Sequence, residues 1–573
     1  MHHLARHFTS SPRVISKIYR FVNVYSSNVK LRHLQGFFRE RDVNLSAAHR
    51  NVPPHHGSPT PARAMSCVRL LTLLALVGTA RASAVDNQAC ATPSTPSGTD
   101  FFPAAARLSP GNLNSGSASA FVDGGEGFNV TYAETFKVVR TKALPNVEAL
   151  TYVLYQCGTT QPTQDVDGSA FPAGARFFSV PVQRVATGLS VGFGYLEQLG
   201  LRDKLKLIDP AYVHAPCVQK AEEDGTLAAS HVTYDASTSS FDYTLWHNSV
   251  STNNVEMVIT DEWDSGYSNS DKDVVFTPSH TNLGMLERLS FIKFISLFFN
   301  KETQASGYYA DQYERWNYMA GQVAAAQARG GIPTGYKCAW VTAESGTYKI
   351  TWDDYKRDIC TAAGLSTHIP SAATSSAVSY TYPSKAAFLT DMANAAVVID
   401  ESYFTTPSTG ATKTAVITNL AFDEAPGLPS LSPSTGMILR LDKHVSDGDP
   451  LYSHSTFYPT ESLTWYEDSY VHPAMVVQDL VRLSWLNGVA GVTALQEGCP
   501  RFFRDINSND AVVKTTANEC TLWDNARVNG LCLAQLSAQR VAVAALLGAS
   551  PAARIGANLV TVTFVAIATM ILV

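Results

Sequence analysis

The sequence predicts an α/β fold in two lobes, joined by one long helix and preceded by a β-rich extension. Three observations predict it. Short apolar runs alternate with helical stretches twice over, in residues 161–304 and again in residues 331–490. Between the two series, Ala305 to Arg329 reads as a single long helix, stopped by Gly330-Gly331-Ile332-Pro333. Ahead of both, alternating apolar and polar residues mark paired strands.

Taken in order, residues 85–120 are rich in Ser, Pro, Gly and Asn and read as a loose entry. Asn129-Val130-Thr131-Tyr132, Phe136-Lys137-Val138-Val139 and Leu150-Thr151-Tyr152-Val153-Leu154-Tyr155 then alternate, with β-branched and aromatic residues enriched. They predict hairpins and an extension spanning 85–160. In the first lobe, at 161–304, Phe178-Ser179-Val180-Pro181-Val182 and Arg184-Val185-Ala186-Thr187 are short apolar runs. Gly188 to Gly200 follows as a helix with Phe193, Leu196 and Leu199 on one side. Residues 256–260 and 273–277 read as buried strands, and 286–299 as an apolar helix. The interlobe helix is placed at 305–330. In the second lobe, at 331–490, Cys338-Ala339-Trp340-Val341 and Ala396-Val397-Val398-Ile399 read as strands, and 352–363 and 385–395 as helices. Residues 473–486 form an amphipathic helix with Pro in its first turn. Residues 491–548 are a Cys-containing C-terminal segment. Strands alternating with helices predict parallel sheets, so each lobe is expected to be Rossmann-like, with a ligand cleft between the two.

Composition narrows the function. Hydrophobic residues make up 45% and charged residues 16%, which suits a chain with a sizeable core. Residues 1–84 hold twelve Lys and Arg against two Asp and Glu, which leaves 31 basic and 47 acidic residues for the remainder. A body with that excess of carboxylates repels a phosphate backbone, so no nucleic-acid partner is expected.

The ends point to export. Met65 opens a basic residue, Arg69, an apolar run through Val77, and small residues at Ala80-Arg81-Ala82-Ser83-Ala84, the pattern of a signal peptide at 65–84. A signal peptide works at an amino terminus, so residues 1–64 read as a non-structural upstream extension, or alternatively as a transit peptide. Residues 549–573 end in an apolar run to Val573 behind the small residues Gly548-Ala549-Ser550. They read as a glycolipid-anchor signal or, alternatively, a short transmembrane tail. The expected location is therefore the extracellular face of the plasma membrane. Without Cys67, eight of the nine cysteines remain after cleavage: Cys90, Cys157, Cys217, Cys338, Cys360, Cys499, Cys520 and Cys532. An even number in an exported chain predicts disulfides, of undetermined connectivity. Asn129-Val130-Thr131 is a glycosylation sequon.

Several motifs carry chemistry. Gly188-Leu189-Ser190-Val191-Gly192 matches the G-x-S-x-G of hydrolases, with Asp261 and His280 or His472 as nominal partners. The plainer account is a helix entry with small residues. Gly192-Phe193-Gly194 lacks the third glycine of a dinucleotide fingerprint. Asp261-Glu262-Trp263-Asp264 is either an acidic rim or a solvated loop. Tyr308, Tyr309 and Tyr313 could offer phenolates to ferric ion, but their helical spacing suits packing. No His pair at i, i+4 supports a built-in metal site.

Longer stretches resemble a known family. Cys157-Gly158-Thr159, Val180-Pro181-Val182-Gln183-Arg184-Val185 and Leu196-Glu197-Gln198-Leu199-Gly200-Leu201-Arg202-Asp203 resemble the first lobe of helical-backbone substrate-binding proteins, the binders of ferric siderophores, haem and cobalamin. Phe291 to Glu302 is similar to that family's entry to the interlobe helix. Gly346-Thr347-Tyr348 with the helix 355–364 resembles the second lobe, and Trp465-Tyr466-Glu467 with His472 to Leu480 the closing helix. The resemblance covers residues 125–490. It implies a bilobed fold with a stiff interlobe helix and a ligand held between the lobes. In the family, acidic residues on each lobe dock a membrane permease; Glu197 would be one here. The Cys-rich flanks and apolar tail depart from bacterial members, and the transport partner is undetermined.

Together these readings make the chain a binder of an iron chelate, with no enzyme activity and no cofactor of its own. Strand-to-helix loops face such a cleft. One wall is expected from Thr187, Ser190, Glu262, Trp263, Ser279 and His280. The other is expected from Glu344, Ser345, Tyr348, Trp352 and Glu401, with Trp465 and Tyr466 closing the side. Acidic groups on these walls favour a neutral hydroxamate chelate over an anionic catecholate. Alternatives are a serine hydrolase using Ser190 and a structural surface protein.

Overall fold

The computed structural model describes residues 89–108 and 127–521, apart from 145–146, 236–237, 239, 262–264, 331–333, 375–376, 433–435, 448–460 and 486–499. The signal peptide, upstream extension and apolar anchor expected from the sequence lie outside the described residues, as do Glu262, Trp263, Cys499 and Cys532. Among the described residues no helix is long and apolar enough to cross a membrane.

The extension is a four-stranded sheet in the order β1-β2-β3-β4: β1 Phe128–Tyr132, β2 Phe136–Thr141, β3 Thr151–Gln156 and β4 Arg176–Val180. Hairpins join β1 to β2 and β2 to β3, but β4 runs parallel to β3, with Tyr152 opposite Arg176. The extension therefore reaches Val180, past the boundary expected at 160. Asn129 of the sequon is exposed on the edge strand β1. A cluster of Tyr152, Phe178, Phe294 and Phe298, ring centroids 5.4–6.2 Å apart, fastens this sheet to the first lobe. Lys137, fully buried, donates to Asn300 at 2.9 Å and pairs with Glu302. A buried charge is tolerated because its partners replace its water.

The first lobe is a parallel five-stranded sheet, β11-β10-β5-β6-β7: β5 Val185–Thr187, β6 Leu205–Ile208, β7 Ala228–Ala229, β10 Met257–Thr260 and β11 Asp273–Val275. A small hairpin, β8 Thr233–Asp235 with β9 Ser240–Asp242, stands apart. The helices are α1 Val191–Gln198, α2 Pro216–Glu223, α3 Thr244–Thr252 and α4 Met285–Leu297. Eleven of the thirteen residues of α4 are buried, which explains its apolar reading on every side.

The interlobe helix α5 spans Glu302–Ala328, 27 residues, or roughly 40 Å at 1.5 Å per residue. Its buried stripe, Ala305, Tyr309, Gln312, Trp316, Met319, Val323 and Ala326, recurs every three or four residues. Gly330 ends it at φ +72°.

The second lobe has the expected parallel strands at its centre and antiparallel strands beside them. Its central strands β12 Lys337–Glu344, β16 Val397–Asp400 and β17 Met437–Arg440 are parallel, as is the short β14 Ser366–Thr367. On one side, however, β13 Thr347–Thr351 runs antiparallel to β12 and β15 Ser379–Thr381 antiparallel to β13, and on the other β20 Arg504–Asp505 runs antiparallel to β17. The β12–β13 turn uses Ser345 at φ +50° and Gly346 at φ +78°, so a hairpin stands where a βα crossover was expected. The helices are α6 Asp354–Ala362, α7 Lys385–Met392, α8 Pro407–Gly410, α9 Lys413–Asn419, α10 Trp465–Asp468 and α11 Pro473–Trp485. A second small sheet joins β18 His444–Asp447 to β19 Glu461–Leu463 and to β21 Val513–Thr515. From the segment expected at 491–548, β20 and β21 pair with strands of this lobe.

Among the described residues three disulfides are formed, Cys90–Cys157, Cys217–Cys520 and Cys338–Cys360. Alkylation of the denatured, unreduced protein should leave these six cysteines unlabelled in a peptide map. A labelled pair among them would count against the connectivity.

Candidate ligand-binding site

The carboxyl end of β16 delivers Glu401 to a point where α4 of the first lobe meets α6 and α10 of the second. Strand order makes this a natural place for a ligand, because the parallel strands β12, β16 and β17 all point their carboxyl ends the same way. Lys356, in the first turn of α6, donates to Glu401 at 2.5 Å and to the Thr351 hydroxyl at 2.6 Å, and lies 3.4 Å from Asp353. Arg288 reaches over from α4. Its guanidinium lies 3.6 Å from the Tyr355 ring centroid and 5.2 Å from that of Tyr470. Its N–H groups are directed to the carbonyls of Ser279, His280 and Leu283. Stacking on aromatic faces lets a weakly hydrated guanidinium remain buried there.

Tyr466 completes the site from α10. It keeps 48% of its surface accessible, yet burial pushes its hydroxyl well above the usual tyrosine range, with Glu401 and Tyr470 adding to the rise. With Glu401, Tyr355, Tyr470 and Arg288 it marks the candidate recess at the lobe junction. Burial likewise raises Tyr355, helped by Glu401, and raises Tyr470 against the opposing charge of Arg288. All three phenols therefore keep their protons at physiological pH and offer O–H groups. Behind them Arg440 is fully engaged, with Asp400, with Asp442 at 2.7 Å and with the Ser402 carbonyl at 3.1 Å. Arg504 also binds Asp442 at 2.7 Å. Burial would raise Asp442, but the two guanidinium groups outweigh it and hold the carboxyl below its ordinary value.

Of the residues expected on the walls, Glu401 and Tyr466 sit together in this recess. Ser279 and His280 border it through their carbonyls on Arg288. Six others lie elsewhere. Trp352 is 1% exposed and donates its indole N–H to Ala377 at 2.8 Å inside the second lobe. Tyr348 stacks on Phe388 at 4.7 Å in the same core. Glu344 and Ser345 are exposed at the hairpin turn. Trp465 is buried against Trp340, Phe502 and Phe503 and supports α10 from beneath. Thr187 is fully buried, its hydroxyl bonded to the Leu189 backbone. Sequence reasoning missed Arg288, Tyr355, Lys356 and Tyr470. All four lie on helices or beside them, and the rule applied to the sequence looked only at strand ends.

The hydrolase-like motif resolves into packing. Ser190 starts α1 at φ −58°, ψ −36°, ordinary helical values and not the strained elbow of a nucleophile. A side chain on Gly188 would overlap the Tyr267 ring, and one on Gly194 would meet the Glu467 carbonyl at 2.2 Å. Both glycines thus serve close approach. His472, one of the nominal bases, is held by Gln198 and Tyr308 at 3.1 and 3.0 Å. Tyr308 also donates to Val471, while Tyr309 lies under Lys293 at 3.4 Å and stacks on Tyr313. These tyrosines pack helices together and do not converge on a metal.

No family model matches the sequence, and no curated protein does. Similar solved structures include a periplasmic heme-binding protein from Pseudomonas aeruginosa, at 13% identity and TM-score 0.36, covering 58% of this chain and 99% of that one. FhuD2 from Staphylococcus aureus with bound ferrioxamine B is 12% identical, TM-score 0.32, covering 51% and 94%. The petrobactin-binding protein YclQ from Bacillus subtilis is 12% identical, TM-score 0.35, covering 52% and 92%. Likeness of this extent does not bear on ligand or function, which rest on the recess itself.

Proposed function

We propose that this protein is a binder, not an enzyme, and holds a small iron chelate in the recess between its two lobes for uptake at the cell surface. The observation that carries the reading is the meeting of Arg288 with the rings of Tyr355 and Tyr470, beside the Lys356–Glu401 pair and the half-exposed Tyr466. Aromatic faces suit the apolar periphery of a chelate, and a few O–H donors fix its orientation. Phenols that keep their protons suit a metal already wrapped by its chelator better than bare ferric ion.

Charge supports a hydroxamate-type chelate. Lys356 is offset by Glu401 and Asp353, and Arg440 by Asp400 and Asp442. Arg288, stacked on two rings, adds a single positive charge beyond these pairs, too little to balance a strongly anionic catecholate, whereas a neutral ferric hydroxamate needs none. Calorimetric titration with a ferric trihydroxamate and a ferric tricatecholate is expected to show binding of the first and much weaker binding of the second. The reverse order would overturn the charge argument, and no heat with either would overturn the reading as an iron-chelate binder.

A further inference from the structure

The segment Val513–Cys520 links the lobes in a second way, independent of α5. Its strand β21 lies parallel to β18 of the second lobe, with Ser446 opposite Thr515. It then crosses to the first lobe, where Cys520 is bonded to Cys217 of α2, their Cα atoms 4.4 Å apart. Two further contacts meet the first lobe at the same loop. The Thr515 hydroxyl lies 3.0 Å from His214 Nε2, and the Ser446 hydroxyl donates to the Val213 carbonyl at 3.0 Å. The junction is dry: His214, Ser446 and Thr515 are all fully buried. Chain and disulfide together close a ring through the first lobe, α5, the second lobe and back, since the two cysteines are 303 residues apart.

The ring passes beside the recess. The backbone N–H of His214 donates to the Glu467 carboxyl at 2.5 Å, and Glu467 is the neighbour of Tyr466 in α10. On the other side of α10, Gly194 of α1 leaves no room for a side chain against the Glu467 carbonyl. The short helix bearing Tyr466 is thus held against the first lobe at the loop to which the segment is fastened.

We propose that Val513–Cys520 is a covalently fastened strap that fixes the spacing of the lobes and, through His214 and Glu467, sets the position of Tyr466 in the ligand recess. Its effect on ligand rests on the function proposed above; its effect on the lobe junction does not. A strap of this kind lowers the ordering cost of binding by holding the recess in its bound shape beforehand.

The test is amide hydrogen exchange on the full-length protein, followed by titration with a ferric trihydroxamate. In the double variant Cys217→Ser/Cys520→Ser, amides of 210–217, 444–447, 463–470 and 513–520 should lose protection. The central strands β12 and β16 should keep theirs, and affinity should fall about tenfold. Thr515→Val, which keeps the disulfide, should give a smaller loss of protection in the same segments and serves if the double variant does not fold. Cys90→Ser/Cys157→Ser removes a disulfide from the extension and should leave junction and affinity unchanged. Unaltered protection at the junction in both strap variants would overturn the strap. Loss of protection with unaltered affinity would overturn its link to the recess. A wild-type protein that binds no hydroxamate would sink the functional reading alone, and the exchange result would still decide the strap.

Discussion

Trp352→Ala is expected to destabilise the protein by about 3–5 kcal/mol, the range for truncating a buried aromatic. The indole fills the core of the second lobe with Tyr348, Ile350, Phe388 and Met392, and its N–H satisfies the Ala377 carbonyl. Truncation leaves a cavity and removes the donor to a half-buried carbonyl. Chemical denaturation monitored by circular dichroism measures the loss, and ligand affinity of the folded fraction should stay within about twofold. A change in affinity without a change in stability would return Trp352 to the wall where strand-end reasoning placed it.

Tyr466→Ala is expected to do the opposite: fold normally and bind poorly. Nearly half the ring is accessible, so little core is lost. If the ring covers the ligand, its removal should cost about 1–3 kcal/mol of binding, a factor of about ten for each 1.4 kcal/mol. Tyr466→Phe separates ring from hydroxyl and should cost about 0.5–1.5 kcal/mol if the O–H orients the ligand. Calorimetry on both variants beside wild type gives the comparison. Wild-type affinity in Tyr466→Ala would show that the ligand sits elsewhere.

Most elements could be read from pattern. The alternation in 128–155 marked β1 to β3, the stop at Gly330-Gly331-Ile332-Pro333 marked the end of α5, and Pro473 marked the start of α11. The strand β4 was misassigned because its partner β3 lies twenty residues away, and pairing across that distance leaves no local trace. Trp352 is a different case. Tyr348, Ile350 and Trp352 alternate on one face and all enter one core, a period-two signal that was present in the sequence and argued for burial.

The sequence by itself determined the class of each segment, because helix and strand periodicity are local consequences of backbone geometry and apolar spacing. It also placed Glu401 directly after a buried strand and Tyr466 inside an aromatic run. Only the tertiary structure decided which side chains meet. Arg288 reaches Tyr355 and Tyr470 because α4 packs beside α6 and the chain after α10, and Cys217 finds Cys520 because β21 pairs with β18. Those contacts join residues 67 to 303 positions apart. Their existence depends on how sheets and helices stack, which no short window of residues encodes.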